Sequence, residues 1–366
     1  MPDYDAFLLV SFGGPEGPGE VMPFLRNVTR GRGIPDERLA AVAEHYYAVG
    51  GVSPINQQCR DLIAALREQF PAAGLDLPIY WGNRNWDPYL TGTVATMAAD
   101  GVRRAVAFVT SAYSSFSSCR QYLDDLDRAR AEVPGAPVID KVRRYFNHPG
   151  FIEPFAAGAR AALEQLPPAA REQAPLVFTA HSVPLTMATA SGPHQADGTP
   201  VAGPPGGRYV EELTEACRLI AERVPGSGRP WQLVYQSRSG PPSQPWLEPD
   251  VLDHLGDLAK QGAPGAVIVP VGFVSDHMEV KHDLDTEAAE VAGDLGLPLA
   301  RAATPWYHPQ FRELVIDLVR ERLEDRPDAD RAALGSLGPS TDQCPPGCCV
   351  FSRPAAPPQA RPGARA

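Results

Sequence analysis

The sequence predicts an α/β protein of two similar domains, each a four-stranded parallel sheet flanked by helices, the two facing one cleft. Three observations carry this expectation. Short apolar runs alternate with longer stretches of helical periodicity along most of the chain, and that alternation argues for βαβ units. The halves resemble each other: Leu8–Phe12 matches Leu176–Ala180, Ile79–Arg84 matches Leu233–Arg238, and Ala105–Val109 matches Ala266–Pro270, in the same order and at similar separations. Chemically active side chains also fall directly after the apolar runs, where open parallel sheets collect ligands.

Composition narrows the class. The chain has 366 residues, 43% hydrophobic and 21% charged, with a formal net charge of -11. This suits a globular protein with room for two ordinary domains. The negative balance argues against general nucleic-acid binding. No apolar run approaches the ~20 residues that span a bilayer, so no stable membrane insertion is expected. Asp3 and Asp5 stand where a secretory signal would carry basic residues, and a cytoplasmic location is expected. The expected boundaries are a first domain over 1–147, a second over 148–325 and a tail over 326–366. The tail is rich in Pro, Ala, Gly and Arg and, its cysteines apart, is expected to be poorly ordered.

In chain order, Asp5–Phe12 reads as a buried strand ended by Gly13-Gly14-Pro15, where a tight turn is the simplest reading of the glycines. Helices are expected up to Val28 and over Asp36–Tyr47 and Ile55–Phe70. Strands are expected at Leu77–Trp81, Ala105–Thr110 and Pro137–Asp140, with helices at Gln121–Val133 and Pro149–Leu166. In the second half, strands at Leu176–Ala180, Gln232–Tyr235, Ala266–Val271 and Leu299–Ala302 alternate with helices at Gly207–Val224, Asp250–Gln261, Glu279–Leu295 and His308–Glu324. The polar stretch Ala190–Arg208, rich in Gly and Pro, reads as an insertion in a surface loop.

At the strand ends two groups stand out. His181 follows a core strand; alone it reads as a structural histidine, but neutral imidazole is also a base near pH 7 and a metal ligand. Glu279, Asp283 and Glu287 recur at i, i+4, i+8 on one helical face. They read either as a solvated acidic face or as a track of oxygen ligands for a divalent cation. Tyr46, Tyr122 and Trp246 near the same ends suit a flat ligand with acidic arms. Of six cysteines, Cys344, Cys348 and Cys349 fall within six residues. A metal or cluster site is the expected reason, with Zn²⁺ and an iron–sulfur cluster both open. Candidates for a fourth ligand are Cys59, Cys119 and Cys217. Cys59 and Cys217 sit in helical patterns and read as core, whereas Cys119 lies in a strand-end loop.

Five ordered motifs then carry a resemblance: Ser11-Phe12-Gly13-Gly14-Pro15-Glu16, Gly50-Gly51-Val52-Ser53-Pro54, Ala180-His181-Ser182-Val183-Pro184, Pro245-Trp246-Leu247-Glu248-Pro249 and Val271-Gly272-Phe273-Val274-Ser275-Asp276-His277-Met278-Glu279. Together they resemble the ferrochelatase family, closest to its Gram-positive, actinobacterial type. The resemblance implies two Rossmann-like chelatase domains and insertion of ferrous iron into coproporphyrin III during haem biosynthesis. The alternatives are protoporphyrin IX as substrate, a cobalt or nickel tetrapyrrole chelatase, and, less favoured because His181 and Glu279 are both present, a non-catalytic haem or iron binder. It implies His181 and Glu279 as the catalytic and Fe²⁺-binding pair, and porphyrin contacts at Ser53, Tyr122, Trp246, Arg30 and Tyr46, with Arg32 and His45 nearby. Asp283 and Glu287 become a track for the metal. The resemblance also implies a [2Fe–2S] cluster on Cys119, Cys344, Cys348 and Cys349, and product hand-over to a further enzyme of the haem pathway. Glu16 stands where some relatives carry a tyrosine, and Val28–Arg38 is polar and Arg-rich where membrane-associated relatives carry an apolar lip.

Overall fold

The computed structural model describes residues 4–195, 197–201, 203–226, 228–239 and 243–351. Its frame is two four-stranded parallel sheets. The first contains β1 (Ala6–Ser11), β2 (Ile79–Asn83), β3 (Arg104–Val109) and β4 (Val138–Lys141), in the order β2-β1-β3-β4. The second contains β5 (Leu176–His181), β6 (Trp231–Gln236), β7 (Ala266–Val269) and β8 (Leu299–Arg301), in the order β6-β5-β7-β8. The two orders are the same permutation, which is the duplication seen in the sequence. The central strands β1, β3, β5 and β7 read as continuous apolar runs because helices cover both of their faces.

One face of β1 and β3 packs on the helices Leu90–Ala99 and Gln121–Glu132 through Leu90, Val94, Met97, Tyr122 and Leu126. The other faces of both sheets share one continuous core, which holds Phe7 and Phe108 from the first sheet with Phe178 and Val269 from the second. The helix Pro309–Leu323 packs on β3, on Ile55–Ala72 and on Pro149–Gln165, so it touches both halves. Just before it, the buried Trp306 indole N–H donates to the Gln58 carbonyl at 2.7 Å.

Three differences from the sequence-based expectation, and one agreement at Gly13-Gly14, have physical causes. The helix Leu90–Ala99 was not expected; its Thr and Gly content hides the buried Leu90, Val94, Met97 spacing. The stretch Glu279–Leu295 is not one regular α-helix: Met278–His282 opens into a wide turn at Asp283–Ala288, with i→i+5 hydrogen bonding, before Ala289–Asp294. At Gly13-Gly14 the bland reading of a tight turn holds. A Cβ on Gly13, at φ +80°, would lie 2.8 Å from Asn83 Cβ, and one on Gly14 would lie 2.6 Å from Ser53 Cβ. Finally, the part of the tail up to Phe351 is anchored rather than poorly ordered. Asn147 donates to the carbonyls of Leu334 and Gly338 at 3.0 and 2.8 Å, and Ser340 donates to the Arg144 carbonyl at 2.8 Å. Composition alone misses these anchors because they lie on the partner segment Arg143–Asn147. Residues 352–366 lie outside the described part.

Candidate active site

The carboxyl ends of both sheets open onto one cleft, in two adjoining chambers of about 620 and 400 Å³. Phe12, Phe24, Arg32, Tyr46, Ser237 and Glu279 line both. Between them the chambers hold most of the residues expected from the sequence. Ser53, Tyr122, His181 and Trp246 lie in the smaller one, and His45, Asp283 and Glu287 in the larger. Arg30 is the exception: it is exposed and absent from the lining, where its neighbour Arg32 stands. Glu16 is not in the lining either, because its carboxylate is taken by Arg60.

His181 closes β5. Its ring Nδ1–H donates to the Ser182 carbonyl, which turns Nε2 toward Glu279 Oε1 at 3.4 Å. Burial opposes charge on this imidazole, but the facing Glu279 carboxylate outweighs it and lifts the His181 pKa to about 9. Conversely, burial pushes Glu279 up while His181 pulls it further down, to about 2. At neutral pH the two therefore stand as an imidazolium–carboxylate pair. The two side chains keep 36% and 43% of their surface open to the cleft, so water screens the pair. The sequence-based expectation of a neutral His181 thus applies only once the field of Glu279 is offset.

Glu279 is held in place from below. His277 caps its helix, with Nδ1 accepting from the Glu279 N–H at 3.2 Å, and burial keeps this imidazole's pKa low. Gln236 donates to the Glu279 carbonyl at 2.9 Å and to Asp283 Oδ2 at 3.2 Å. Ser237, in the left-handed region at φ 60°, also donates its hydroxyl to Asp283. Burial raises Asp283 to about 6; the Ser237 and Gln236 hydrogen bonds oppose this and the charge of Glu279 adds to it. The wide turn then brings residues five apart together: His282 Nε2 sits 3.4 Å from Glu287 Oε1. Ligand atoms of His282, Asp283 and Glu287 lie within 4.8 Å of one another. Carboxylates thus run from the His181 pair toward the outer chamber, as oxygen donors for a divalent cation would.

The facing wall is apolar and aromatic. Tyr122 is buried, with the Arg84 guanidinium 4.4 Å from its ring centroid and Arg84 in turn paired with buried Asp125. Trp246 is 9% exposed, and its indole nitrogen has no hydrogen-bond partner among the described residues. Ser53 is buried beneath Gly14. Such a slot accepts a flat, polarisable ligand, with Arg32, Arg38 and Arg238 placed around the outer chamber for acidic arms.

Away from the cleft, four thiols come together. Cys344 neighbours Cys119 and Cys348, and Cys348 donates to Cys349 Sγ at 3.8 Å, so the four thiols form a row. Arg144 donates to Cys344 Sγ at 3.5 Å, and the Gly192 N–H donates to Cys349 Sγ at 3.1 Å. The thiol donors, with Arg144 and Lys141 beyond them, hold Cys344 well below the usual thiol range against the opposing effect of burial. Cys59 and Cys217 are buried in the shared core, apart from this group.

Two parallel sheets of one topology, with histidine and carboxylate side chains gathered at their carboxyl ends, make a two-domain fold shared with solved chelatases. The solved structures agree. SirB from Bacillus subtilis with Fe³⁺ superposes with a TM-score of 0.53 at 11% identity, covering 87% of this chain and 95% of that one. The family model of ferrochelatase matches residues 4–323, and the chain belongs to that family. Among curated relatives, the coproporphyrin III ferrochelatase of Streptomyces griseus is 54% identical over 96% of this chain and 94% of its own length. A ferrochelatase of Rhodopirellula baltica is 51% identical over 98% and 97%. The chain is thus an enzyme that inserts metal into a porphyrin.

Proposed function

We propose that the chain inserts ferrous iron into coproporphyrin III, with His181 and Glu279 as the reacting pair. The observation that carries this is their 3.4 Å approach at the floor of the slot, where carboxylates lead in from one side and aromatic walls close the other. Iron is a substrate here. A dication moving along Glu287, Asp283 and Glu279 exchanges water for carboxylate oxygens. At Glu279 its charge offsets the field that keeps His181 protonated, so Nε2 passes its proton to water in the cleft and then takes one pyrrole proton, the second pyrrole proton leaving to water as the ring nitrogens bind the metal. Ser53, Tyr122 and Trp246 hold the ring, and Tyr46 and the cleft arginines face its rim. Coproporphyrin is favoured because the nearly full-length Streptomyces relatives, 54% and 52% identical, carry that substrate in their names. No helix among the described residues is long and apolar enough to cross a membrane, which fits a cytoplasmic reaction on a porphyrin with four charged arms and hand-over of the product to a later enzyme of the haem pathway.

Mixing the protein anaerobically with Fe²⁺ and coproporphyrin III is expected to convert the visible bands of the free ring to those of the metallated ring. kcat/KM is expected to be higher than with protoporphyrin IX in detergent-free buffer. A preference for protoporphyrin IX would overturn the substrate assignment.

We read the thiol site as the place of a [2Fe–2S] cluster on Cys119, Cys344, Cys348 and Cys349. The four sulfurs lie in a row beside Arg144 and Lys141, a cationic setting that favours thiolates, and four thiolates are the ligand set such a cluster takes. Bound there, it would tie the tail to the loop carrying Cys119 without touching the cleft. Anaerobically purified protein is expected to be reddish and to lose the colour in Cys344→Ser. Absence of iron and acid-labile sulfide from the wild type would refute it.

A further inference from the structure

Two rows of contacts connect the C-terminal cysteines to the start of one helix, Gly207–Ala221, and that helix start touches His181. In the first row Arg144 donates to Cys344 Sγ at 3.5 Å and lies 3.4 Å from Glu212, a carboxylate with no exposed surface. Glu212 also accepts from the backbone N–H and hydroxyl of Ser114, at 2.6 and 2.8 Å. In the second row Cys349 is bonded both ways to Gly192. Its N–H donates to the Gly192 carbonyl at 2.8 Å, and its sulfur accepts from the Gly192 N–H at 3.1 Å. Next to Gly192, the Ser191 hydroxyl accepts the Tyr209 N–H at 2.8 Å. The Tyr209 hydroxyl donates to the His181 carbonyl at 3.0 Å.

That last bond occupies a gap in the sheet. β7 pairs with β5 only as far as Phe178, and Gly272 then takes the Thr179 carbonyl. The His181 carbonyl is therefore beyond the reach of β7, and Tyr209 supplies its donor. Burial pushes the Tyr209 phenol up, so the hydroxyl keeps its proton. The helix start has little slack: Gly207 is at φ +64°, and a Cβ there would lie 2.2 Å from the Ala188 carbonyl and 2.8 Å from Ser191 Oγ. A displacement of Ser191 therefore carries into Tyr209.

We propose that Tyr209 is a positioning residue for His181, and that docking of the cysteine-bearing tail on Gly192 and Arg144 sets its position. The tail then acts on iron insertion through the end of β5, with no residue of its own in the cleft. The effect falls on the aim of Nε2 and so on kcat, because Ser53, Tyr122 and Trp246 lie on other elements, and Tyr209, which also lines the smaller chamber, has its hydroxyl committed to the His181 carbonyl. By reciprocity, a ligand that orders His181 also tightens the docking of the tail.

The test uses the full-length chain with Tyr209→Phe, Ser191→Ala and Cys349→Ala. The readouts are kcat and KM for porphyrin, the side-chain nitrogen resonances of His181, and iron and sulfide content. In each variant kcat is expected to fall about tenfold, equal to about 1.4 kcal/mol of barrier. KM for porphyrin stays within about twofold, and the His181 Nδ1–H resonance moves. Tyr209→Phe retains the wild-type iron and sulfide content. If Cys349→Ala does not fold, Ser191→Ala leaves every cysteine in place and decides the same point. Wild-type kcat in Tyr209→Phe, or unmoved His181 resonances in Cys349→Ala or Ser191→Ala, overturns the proposal. The activity readout rests on the iron-insertion reading. A wild type that binds porphyrin and never metallates it would refute that reading instead, and the resonances would still decide this one.

Discussion

His181 carries two hydrogen bonds that fix it and one charge that tunes it. The Ser182 carbonyl sets the tautomer, Tyr209 holds the backbone, and Glu279 sets the proton affinity. These contacts do not involve Ser53, Tyr122 or Trp246, so His181→Ala is expected to lower kcat at least ~10²-fold, the usual contribution of a positioned base, while fluorescence titration still shows porphyrin binding. Turnover above about a tenth of wild type would remove the base role. The pair itself was legible in the sequence because strand-end residues and short ordered motifs mark it. Its supports were not. Tyr209 lies inside an ordinary helical pattern, and His277 looks like a ligand although its ring nitrogen caps a helix. The choice between Arg30 and Arg32 depends on which side of a turn faces the cleft, and spacing does not report that.

All eight strands were legible to within two residues, the central β1, β3, β5 and β7 because a doubly covered strand has to be apolar throughout. Two features escaped for opposite reasons. The helix Leu90–Ala99 has the right buried spacing with weak helix formers, and packing on the first sheet overrides propensity. The wide turn at Asp283–Ala288 sits in a strong helical pattern, and only the placement of His282 against Glu287 reveals it. The helix Pro309–Leu323 was expected, and it matters more to the fold than its modest apolar stripe suggests. Phe311 has no exposed surface and meets Phe108, Tyr145 and Trp306, edge-on to the first two and tilted against the third. Phe311→Ala is expected to cost about 3–5 kcal/mol, the range for emptying a buried aromatic site, read as a lower urea midpoint with unchanged slope. A loss below about 1 kcal/mol would mean that the site collapses around the gap.

At the scale of the whole molecule, the halves are joined by more than the shared core. Arg143, after β4, is fully buried and paired with Glu321 on the C-terminal helix at 2.6 Å. A turn away, Asp317 accepts from His148 Nε2 at 3.2 Å and from Arg326 at 2.9 Å. The His148 tautomer is fixed, since its Nδ1 accepts the Gly150 N–H at 3.0 Å and leaves the proton on Nε2. The side chains of His148, Asp317 and Glu321 lie close enough to hold a metal, but arginines already neutralise both carboxylates. The hydrogen bond from His148 lowers the pKa of Asp317, burial opposes it, and Arg326 adds to the lowering. A carboxyl depressed in the folded state takes up its proton less readily there than in the unfolded chain. Its contribution is therefore complete above the ordinary carboxylate range, near 3.9, and is lost as pH falls through the depressed folded value. Asp317→Asn is expected to lower the urea midpoint at pH 7, and the gap to wild type is expected to narrow steadily below about pH 4. Glu313→Gln, with no paired partner among the described residues, serves as the control and should leave the midpoint nearly unchanged at both pH values. A gap of constant size from pH 7 to pH 3 would show that Asp317 acts through packing and that its charge does not bind the C-terminal helix to the start of the second half.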